Sequence, residues 1–422
     1  MHSVTNAIPT GTIASIPAKA HAHRALICAA LANSPSTILL SRTSKDIDAT
    51  MESLRGLGTH VVYENKVVTV TPGPVPAKGN VAPHESGTTL RLLLPVAASI
   101  CNDVDVDAKG RLPDRPLEPM LSEMKAHGVT FSQDKPPFTM TGNLQGGQFS
   151  MVGDVSSQFF SGLLLAAPQC EGATITSTTP LQSSDYVTLT TETMRDFGVE
   201  VEHTLPDTNI HEAFTVPFGA SFNGRDNYQI EGDWSNAAIW MVAAGMTGKP
   251  ITITDMNKNS VQADRRIMQV MIDAGCDVVW DGMNVTVTGR ASKPIHADLE
   301  QMPDMLPVMA ALACSISGES SFIKGARLRL KESDRLIAVA NLVRDLGGTV
   351  REEGDDLYII GSGILKGGHG DCVNDHRLVM AGTLMALISE NPVTLKDSEA
   401  ITKSYPDFFE DWNLLGGDAH GI

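Results

Sequence analysis

Apolar and polar positions along the chain form a block that recurs six times. Each block opens on a segment that is apolar nearly all round, as expected of a buried helix. These segments span 24–32, 89–99, 157–167, 237–245, 306–317 and 377–389. A β-like run follows, then an amphipathic helix, and often a closing pair of strands. Each block therefore predicts a β-α-β-α-β-β unit.

A glycine marks the end of the amphipathic helix in every block. The six glycines are Gly58, Gly128, Gly198, Gly275, Gly347 and Gly416, at intervals of 70, 70, 77, 72 and 69 residues. Glycine readily adopts the left-handed conformation that ends many helices, so each of them predicts a helix end. Units of this length exceed the repeats of roughly 20–50 residues that are typical of solenoids.

The even repeat predicts a mixed α/β fold with two domains of three units each. A chain of 422 residues is also too long for one ordinary hydrophobic core. The longest interval, between Gly198 and Gly275, places the domain break there. The polar stretch 223–228 is the expected crossing point.

Composition and charge exclude several classes of protein. A net charge of −17 argues against nonspecific nucleic-acid binding, but a locally positive cleft could still bind small anions. The six cysteines form no Cys-x-x-Cys pair, so we expect reduced thiols and no zinc site. No membrane-length apolar run and no signal-like segment are present, so we expect a cytoplasmic protein without a membrane partner.

Charged and small polar side chains gather where the apolar helices begin. They are Lys19, Arg24, Gly87, Thr88, Arg111, Ser156, Ser157, Gln158, Asp304, the run from Arg327 to Arg335, Arg377 and Lys403. Cations at a helix start oppose the helix dipole, which makes sense where an anion binds. Two alternative interpretations stay open: Thr88 and Asp304 cap their helices, and the charged run forms a solvated face. Their recurrence predicts a cationic cleft for ligands rich in phosphate and carboxylate.

Five motifs, in order, resemble the EPSP synthases, a family of enolpyruvyl transferases. They are Glu-Ser-Gly-Thr-Thr-Leu-Arg at 85–91, Ser-Ser-Gln-Phe at 156–159, Leu-Lys-Glu-Ser-Asp-Arg-Leu at 330–336, Asp-His-Arg-Leu-Val-Met-Ala at 375–381, and Thr-Lys-Ser-Tyr-Pro-Asp-Phe-Phe at 402–409. The resemblance covers nearly the whole chain. It implies two domains, 17–228 and 1–16 plus 229–422, each an inside-out α/β barrel. The active site would lie in the cleft between them.

The resemblance also implies a reaction and its residues. The family transfers the enolpyruvyl group of phosphoenolpyruvate to the 5-hydroxyl of shikimate 3-phosphate and releases phosphate, with no metal or organic cofactor. Expected contacts to shikimate 3-phosphate are Lys19, Arg24, Ser156, Ser157, Gln158, Ser183, Tyr186, Asp304 and Lys331. Expected contacts to phosphoenolpyruvate are Lys19, Gly87, Arg111, Gln158, Arg335, Arg377 and Lys403. Asp304 and Glu332 would handle protons with help from Lys19, in a monomer.

Three positions depart from the commonest family pattern. Ala20 stands where a serine would contact shikimate 3-phosphate, Glu85 where asparagine is common, and Arg327 where asparagine or histidine is common. Two alternatives stay open. One is the transferase acting on UDP-N-acetylglucosamine, whose cysteine-bearing loop would fall near 109–116, where this chain has no cysteine. The other is a noncatalytic protein that binds phosphorylated metabolites.

Overall fold

The computed structural model describes residues 1–205 and 211–422, and its contacts divide the chain into two compact units. The N-terminal unit is Pro17–Ile230, and the C-terminal unit combines Met1–Ile16 with Glu231–Ile422. The chain begins with two strands of the C-terminal unit, β1 (His2–Val4) and β2 (Gly11–Ala14).

The N-terminal unit repeats one order of elements three times. Its helices are α1 (Lys19–Ala30), α2 (Lys45–Gly56), α3 (Gly87–Ile100), α4 (Met120–Ala126), α5 (Ser157–Ala166) and α6 (Asp185–Asp196). Its strands are β3 (Ser36–Leu39), β4 (His60–Glu64), β5 (Val67–Thr71), β6 (Gly79–Val81), β7 (Asp103–Val106), β8 (Thr130–Phe131), β9 (Phe138–Thr141), β10 (Gly147–Met151), β11 (Ala173–Ser177), β12 (Glu202–Thr204), β13 (Glu212–Val216) and β14 (Tyr228–Gln229).

The C-terminal unit repeats the same order. Its helices are α7 (Trp234–Thr247), α8 (Ile267–Asp273), α9 (Leu306–Ser315), α10 (Arg335–Asp345), α11 (His376–Ala386) and α12 (Phe408–Leu414). Its remaining strands are β15 (Ile251–Thr254), β16 (Asp277–Asp281), β17 (Asn284–Thr288), β18 (His296–Asp298), β19 (Gly318–Ile323), β20 (Thr349–Glu353), β21 (Asp356–Gly361), β22 (Gly368–Asp371), β23 (Val393–Lys396) and β24 (Ala419–Gly421).

Six four-stranded sheets result in the described residues, three in each unit. The strand orders are β14-β3-β5-β4, β6-β7-β9-β8, β10-β11-β13-β12, β2-β15-β17-β16, β18-β19-β21-β20 and β22-β23-β1-β24. Each sheet has one parallel pair followed by two antiparallel pairs, as the pairings of β6, β7, β9 and β8 illustrate. The predicted mixed α/β fold with six units is therefore confirmed.

Three strands complete sheets far from their own position in the chain. β2 pairs in parallel with β15, and β14 pairs in parallel with β3, so each opens the first sheet of a unit. β1 lies between β23 and β24 and supplies the strand that the sixth repeat lacks. Because β14 pairs within the N-terminal unit, that unit runs to Ile230, beyond the predicted boundary at 228.

The first helix of each repeat is buried, and the sheets lie outside it. α1, α3, α5, α7, α9 and α11 are buried over nearly their whole length, and each unit has its own aliphatic core around them. Close approach of α3 and α5 requires Gly162, where a Cβ would lie 2.4 Å from the carbonyl oxygen of Arg91. Among the described residues, no helix is long and apolar enough to cross a membrane.

Several buried helices begin earlier than the apolar pattern indicated. α1 begins at Lys19 instead of 24, α3 at Gly87 instead of 89, and α7 at Trp234 instead of 237. For α3 the cause is Ser86, whose hydroxyl accepts a hydrogen bond from Thr89 N and caps the helix. Thr88, considered as a cap from the sequence, is not one.

The six glycine markers end the six amphipathic helices, as predicted. Their φ angles lie between 88° and 101°, in the left-handed region. In every case the residue after the glycine donates its backbone N–H to the carbonyl five positions earlier, as in Thr59 N to Leu54 O at 3.0 Å. This is the Schellman motif, which satisfies carbonyls at the helix end.

Gly416→Ala is expected to lower the free energy of unfolding by about 1–2 kcal/mol, the cost of a left-handed conformation for an L-residue. Gly416 has φ 94°, and the atom nearest to an added methyl group, Ile8 O, would be 3.7 Å away, so backbone strain alone would act. Chemical denaturation measures the loss. Gly421→Ala is the matched control, because that position has no neighbouring atom within 4 Å and no positive φ. Equal stability of the two variants would contradict the interpretation.

Candidate active site

Lys19 opens the set of polar residues in the N-terminal unit. It is the first residue of α1, and its Nζ lies 2.7 Å from Asp46 Oδ2 in the first turn of α2. Both side chains are mostly buried, at 19% and 14% exposure. An ammonium group that a carboxylate holds at a partly open position can also bind an incoming anion. Asp46 was not identified from the sequence, because an acidic residue just after the capping Ser44 is ordinary at a helix start.

Arg24 lies one turn inside α1 and is 1% exposed, so it does not stand at the helix start as the sequence indicated. Its guanidinium donates to Thr190 Oγ1 at 2.6 Å, Ala20 O at 2.7 Å and Tyr186 O at 3.0 Å. Burial lowers its pKa to about 10. No carboxylate in the described residues lies within ion-pair distance of it. A buried cation with neutral acceptors favours an anion nearby.

The N-termini of α3 and α5 are joined through Gln158. Its Nε2 donates to Thr88 Oγ1 at 2.8 Å, and its Oε1 accepts from Arg91 Nη1 at 3.2 Å. Ser156 caps α5 by accepting from Gln158 N at 3.3 Å. The predicted Ser156, Ser157 and Gln158 therefore open one helix, and the amide of Gln158 has a fixed orientation.

Gly87 faces two guanidinium groups. A Cβ at this position would lie 2.6 Å from Arg115 Nη1 and 2.9 Å from Arg91 Nη1. The sequence predicted Arg111 here, but the structure adds Arg91 and Arg115. Arg91 could have been found from its spacing, because it follows Gly87 by four residues on the same helix face.

The remaining predicted residues of the N-terminal unit lie around the start of α6 and in the loop after β7. Ser183 is buried, with φ 55°, and Tyr186 accepts a hydrogen bond from Arg24 through its carbonyl. Arg111 is exposed at the start of a short 3-10 turn. Glu85, the departure from the family pattern, packs against Gly110 of this loop, where a Cβ would come within 2.9 Å of its carboxylate.

In the C-terminal unit, Arg335 organises three carboxylates. It is 1% exposed, and it donates to Asp304 Oδ1 at 2.7 Å, Glu332 Oε2 at 2.7 Å and Asp375 Oδ2 at 2.9 Å. The sequence assigned Arg335 to phosphoenolpyruvate, and the structure shows it engaged by carboxylates. Asp375, which caps α11, was seen in the sequence only as the start of an apolar helix.

Asp304 lies among three cations and is not a helix cap. It lies in a 3-10 turn before α9, and its side chain caps no helix. Burial raises its pKa, but Lys331, Arg377 and Arg335 outweigh burial and hold the pKa below its usual range. Lys331 Nζ lies 3.2 Å from Asp304 Oδ1, and Arg377 Nη2 lies 3.7 Å from Oδ2. This carboxylate can accept a hydrogen bond from a hydroxyl group.

Lys331 and Lys403 provide two further predicted cations. Burial lowers the pKa of Lys331; Asp304 opposes the shift, whereas Arg327 adds to it. Arg327 thus bears on the site electrostatically, so the charged run is not merely a solvated face. Lys403 is mostly buried and donates to Asn374 O at 2.7 Å.

The structure places Lys19, Gly87 and Ser157 at the starts of buried helices in the N-terminal unit, and Gln158 joins two of these helix starts. In the C-terminal unit Lys331, Arg335 and Arg377 approach Asp304, and Glu332 contacts Arg335. Both groups combine cations with hydrogen-bond donors, which suits carboxylate and phosphate ligands.

Several known proteins are similar to this chain in sequence and in fold. The family model described as EPSP synthase (3-phosphoshikimate 1-carboxyvinyltransferase) matches residues 7–412. A 3-phosphoshikimate 1-carboxyvinyltransferase of Clostridium kluyveri is 36% identical over 413 residues, covering 97% of this chain and 95% of the relative. The enzyme of that name from Methanocorpusculum labreanum is 34% identical, covering 97% of both chains.

A solved structure gives the corresponding result for the fold. The EPSP synthase of Acinetobacter baumannii superimposes with a TM-score of 0.80 at 23% identity, covering 100% of this chain and 99% of that one. At this identity the likeness shows the fold. Together with the family match, it confirms the resemblance found in the sequence motifs. The chain belongs to the EPSP synthase (3-phosphoshikimate 1-carboxyvinyltransferase) family.

Proposed function

We propose that this chain transfers the enolpyruvyl group of phosphoenolpyruvate to the 5-hydroxyl of shikimate 3-phosphate, and that both groups of polar residues act on this one substrate pair. The observation that carries the proposal is the position of the Asp304 carboxyl group among Lys331, Arg335 and Arg377, with Glu332 on the guanidinium group of Arg335. It joins proton-handling carboxylates to cations that suit the substrates' phosphate and carboxylate groups.

Addition is the first half of the reaction. Asp304 accepts the proton of the 5-hydroxyl while the hydroxyl oxygen bonds to the central carbon of phosphoenolpyruvate. The methylene carbon takes a proton from a general acid, and we assign this role to Glu332 and Lys19. Substrate anions would offset the charge of Lys331 and Arg377, and this raises the basicity of Asp304 when it is needed.

Elimination completes the transfer. The new methyl group returns a proton to the conjugate base of that general acid. The carbon–oxygen bond to phosphate breaks at the same time, and the enol double bond forms again. The departing phosphate takes its negative charge with it. Fixed cations already in place stabilise that charge without reorganisation, which is the main electrostatic contribution expected of such a site.

We assign substrate contacts in the N-terminal unit by hydrogen-bonding capacity. Lys19, Ser156, Ser157 and Gln158 present donors for phosphate, carboxylate and hydroxyl groups. Arg24 and Ser183, which are buried, and Tyr186, which is partly buried, are also assigned to shikimate 3-phosphate. Ala20, which departs from the family pattern, has no side-chain hydroxyl to offer a ligand. Its backbone carbonyl oxygen accepts a hydrogen bond from Arg24.

For phosphoenolpyruvate we assign Gly87, Arg111 and Lys19 in the N-terminal unit, and Arg377 and Lys403 in the C-terminal unit. Arg91 and Arg115 are added, since both guanidinium groups approach Gly87. We revise the part of Arg335: it orders Asp304, Glu332 and Asp375, and it acts on the ligand through them.

A phosphate-release assay with both substrates tests the function. Release that requires shikimate 3-phosphate together with phosphoenolpyruvate is the expected result. Release with UDP-N-acetylglucosamine in place of shikimate 3-phosphate would assign the other transferase activity. Binding of both ligands without release would favour a noncatalytic role.

Gly87→Ala is expected to raise the KM for phosphoenolpyruvate about tenfold and to leave that for shikimate 3-phosphate nearly unchanged. The added methyl group would come within 3 Å of the Arg91 and Arg115 guanidinium groups, so both must move away from the assigned anion position. A loss of that size corresponds to about 1.4 kcal/mol of binding. Steady-state kinetics with each substrate varied in turn measures the split. An equal rise in both KM values would remove Gly87 from the phosphoenolpyruvate position.

A further inference from the structure

Two threonines stand at a position where the other repeats have an apolar residue. Thr50 in α2 and Thr190 in α6 each lie eight residues before the glycine that ends their helix. Both side chains are fully buried. A buried hydroxyl needs hydrogen-bond partners, so the partners of these two indicate what they do. In the four other repeats the residue at this position is apolar and buried: Met120, Ile267, Val339 and Phe408.

Thr190 holds the side chain of Arg24. Its Oγ1 accepts a hydrogen bond from Arg24 Nε at 2.6 Å and lies 2.8 Å from Ser161 Oγ in α5. The same guanidinium group donates through Nη2 to Ser161 Oγ at 3.3 Å and to Tyr186 O at 3.0 Å. Two of its three nitrogen atoms are thus held from α5 and α6, which fixes the plane of this buried cation.

Thr50 contacts the neighbouring residue of α1, His23. The distance from His23 Nδ1 to Thr50 Oγ1 is 2.6 Å, and Thr50 Oγ1 lies 2.7 Å from Thr89 Oγ1 in α3. Burial, together with the charges of Lys19 and Arg24, holds the pKa of His23 well below its usual value, so the imidazole is neutral. A buried chain of neutral hydrogen bonds therefore ties α1 to α2 and α3.

Thr89 extends this chain to two residues assigned to phosphoenolpyruvate. Its Oγ1 lies 2.8 Å from the hydroxyl of Ser86, which caps α3 immediately before Gly87. It also lies 3.3 Å from the backbone carbonyl oxygen of Asp46, whose carboxylate holds Lys19 at 2.7 Å. The chain that passes through α2 therefore ends at the start of α3 and at the partner of the Lys19 ammonium group.

We propose that Thr50 and Thr190 are positioning residues that tie α1 to its neighbouring helices and serve one substrate each. Thr190 acts on shikimate 3-phosphate by orienting Arg24. Thr50 acts on phosphoenolpyruvate by fixing the start of α3 and the Lys19–Asp46 pair. This rests on the function proposed above. Both threonines act through other residues, because neither side chain is exposed.

Valine is the diagnostic substitution at both positions. It keeps the branched shape of threonine but has a methyl group in place of the hydroxyl. Val339 fills the equivalent position of the fifth repeat, so the fold accepts valine there. Thr190→Val leaves Arg24 Nε without its acceptor, and Thr50→Val breaks the chain of hydrogen bonds between α1 and α3. A buried polar group that loses its partner is costly, so it shifts towards another partner.

Steady-state phosphate release, with each substrate varied in turn, tests this division. Thr190→Val should raise the KM for shikimate 3-phosphate about tenfold, and Thr50→Val should raise that for phosphoenolpyruvate about tenfold, as expected for one lost hydrogen bond to a charged group. The other KM should change less than about threefold in each variant. Thr190→Ser and Thr50→Ser keep the hydroxyl, so they should retain the wild-type KM values even where the missing methyl group lowers stability.

Thr193→Val is the matched control for both valine variants. Thr193 is buried in α6, but its hydroxyl donates to Leu189 O at 2.7 Å within the same helix, so both KM values should stay at the wild-type level. Ser161→Ala interrupts the contacts around Arg24, and Thr89→Val interrupts the chain from α2. These two variants carry the same test if a valine variant does not fold.

A purely structural role would not distinguish the substrates. Equal changes of both KM values in the two valine variants, or lower stability with unchanged KM values, would therefore overturn the proposal. If the wild type releases no phosphate, the proposed reaction fails, and calorimetric titration of shikimate 3-phosphate tests the threonines instead. Its Kd should rise about tenfold in Thr190→Val and stay unchanged in Thr50→Val. Equal Kd values in the two variants, or no binding to the wild type, would overturn the proposal.

Discussion

Replacing Lys19 by methionine is expected to lower turnover about a thousandfold, within the range of roughly 10²–10⁴ for a proton-handling or charge-stabilising group. The ammonium group is held by Asp46 at 2.7 Å at the first position of α1, and methionine keeps much of its length without its charge. Asp46 would then lie beside anionic ligands without its cation. Repulsion between like charges would add to the loss.

Steady-state phosphate release measures the turnover of Lys19→Met, and circular dichroism checks the fold. Lys45→Met is the matched control, because Lys45 is the first residue of the neighbouring helix α2 and is exposed. Its turnover should stay within about twofold of wild type, as expected of a surface substitution. Near-normal turnover of Lys19→Met would remove Lys19 from the catalytic set.

Arg335→Met is expected to lower the free energy of unfolding by about 3–5 kcal/mol, the usual cost of removing one partner of a buried ion pair. The guanidinium is 1% exposed and is the common partner of Asp304, Glu332 and Asp375. Asp375 is fully buried, so without the cation its charge is neither solvated nor paired there. Turnover should be lost as well, because the carboxylates lose their arrangement.

Chemical denaturation at several pH values distinguishes this cause from simple loss of packing. In the variant, an isolated buried carboxylate favours its protonated form, so part of the lost stability should return as the pH falls from 7 towards 5. Arg329→Met is the control, since Arg329 pairs with Asp334 and Asp355 at a more exposed position. It should lose about 1 kcal/mol or less. A loss in Arg335→Met that is the same at every pH would point to packing.

The repeat architecture could be predicted because its signals are local. Each glycine such as Gly198 ends a helix through its own backbone conformation, and each buried helix is apolar on all sides within a single segment. Neither feature depends on distant residues. The helix starts were less accurate, because they depend on single capping side chains such as Ser86.

The sequence could predict which residues belong to the candidate site, but not the contacts between them. The family resemblance identified Asp304, Glu332 and Arg335, but not which cation contacts which carboxylate. Arg335 reaches Asp304 across 31 positions in the chain and Asp375 across 40. Such pairings depend on how the buried helices pack against one another, and this has no periodic signal in the sequence.

The sequence by itself determined the six repeats, their helix ends and the family, since those follow from local periodicity and contiguous motifs. Tertiary structure alone decided that Arg24 is buried and that Arg335 binds three carboxylates. The physical reason is burial. The charge state and partners of an ionisable group depend on its solvation and on side chains that folding brings close, and both exist only in the packed protein.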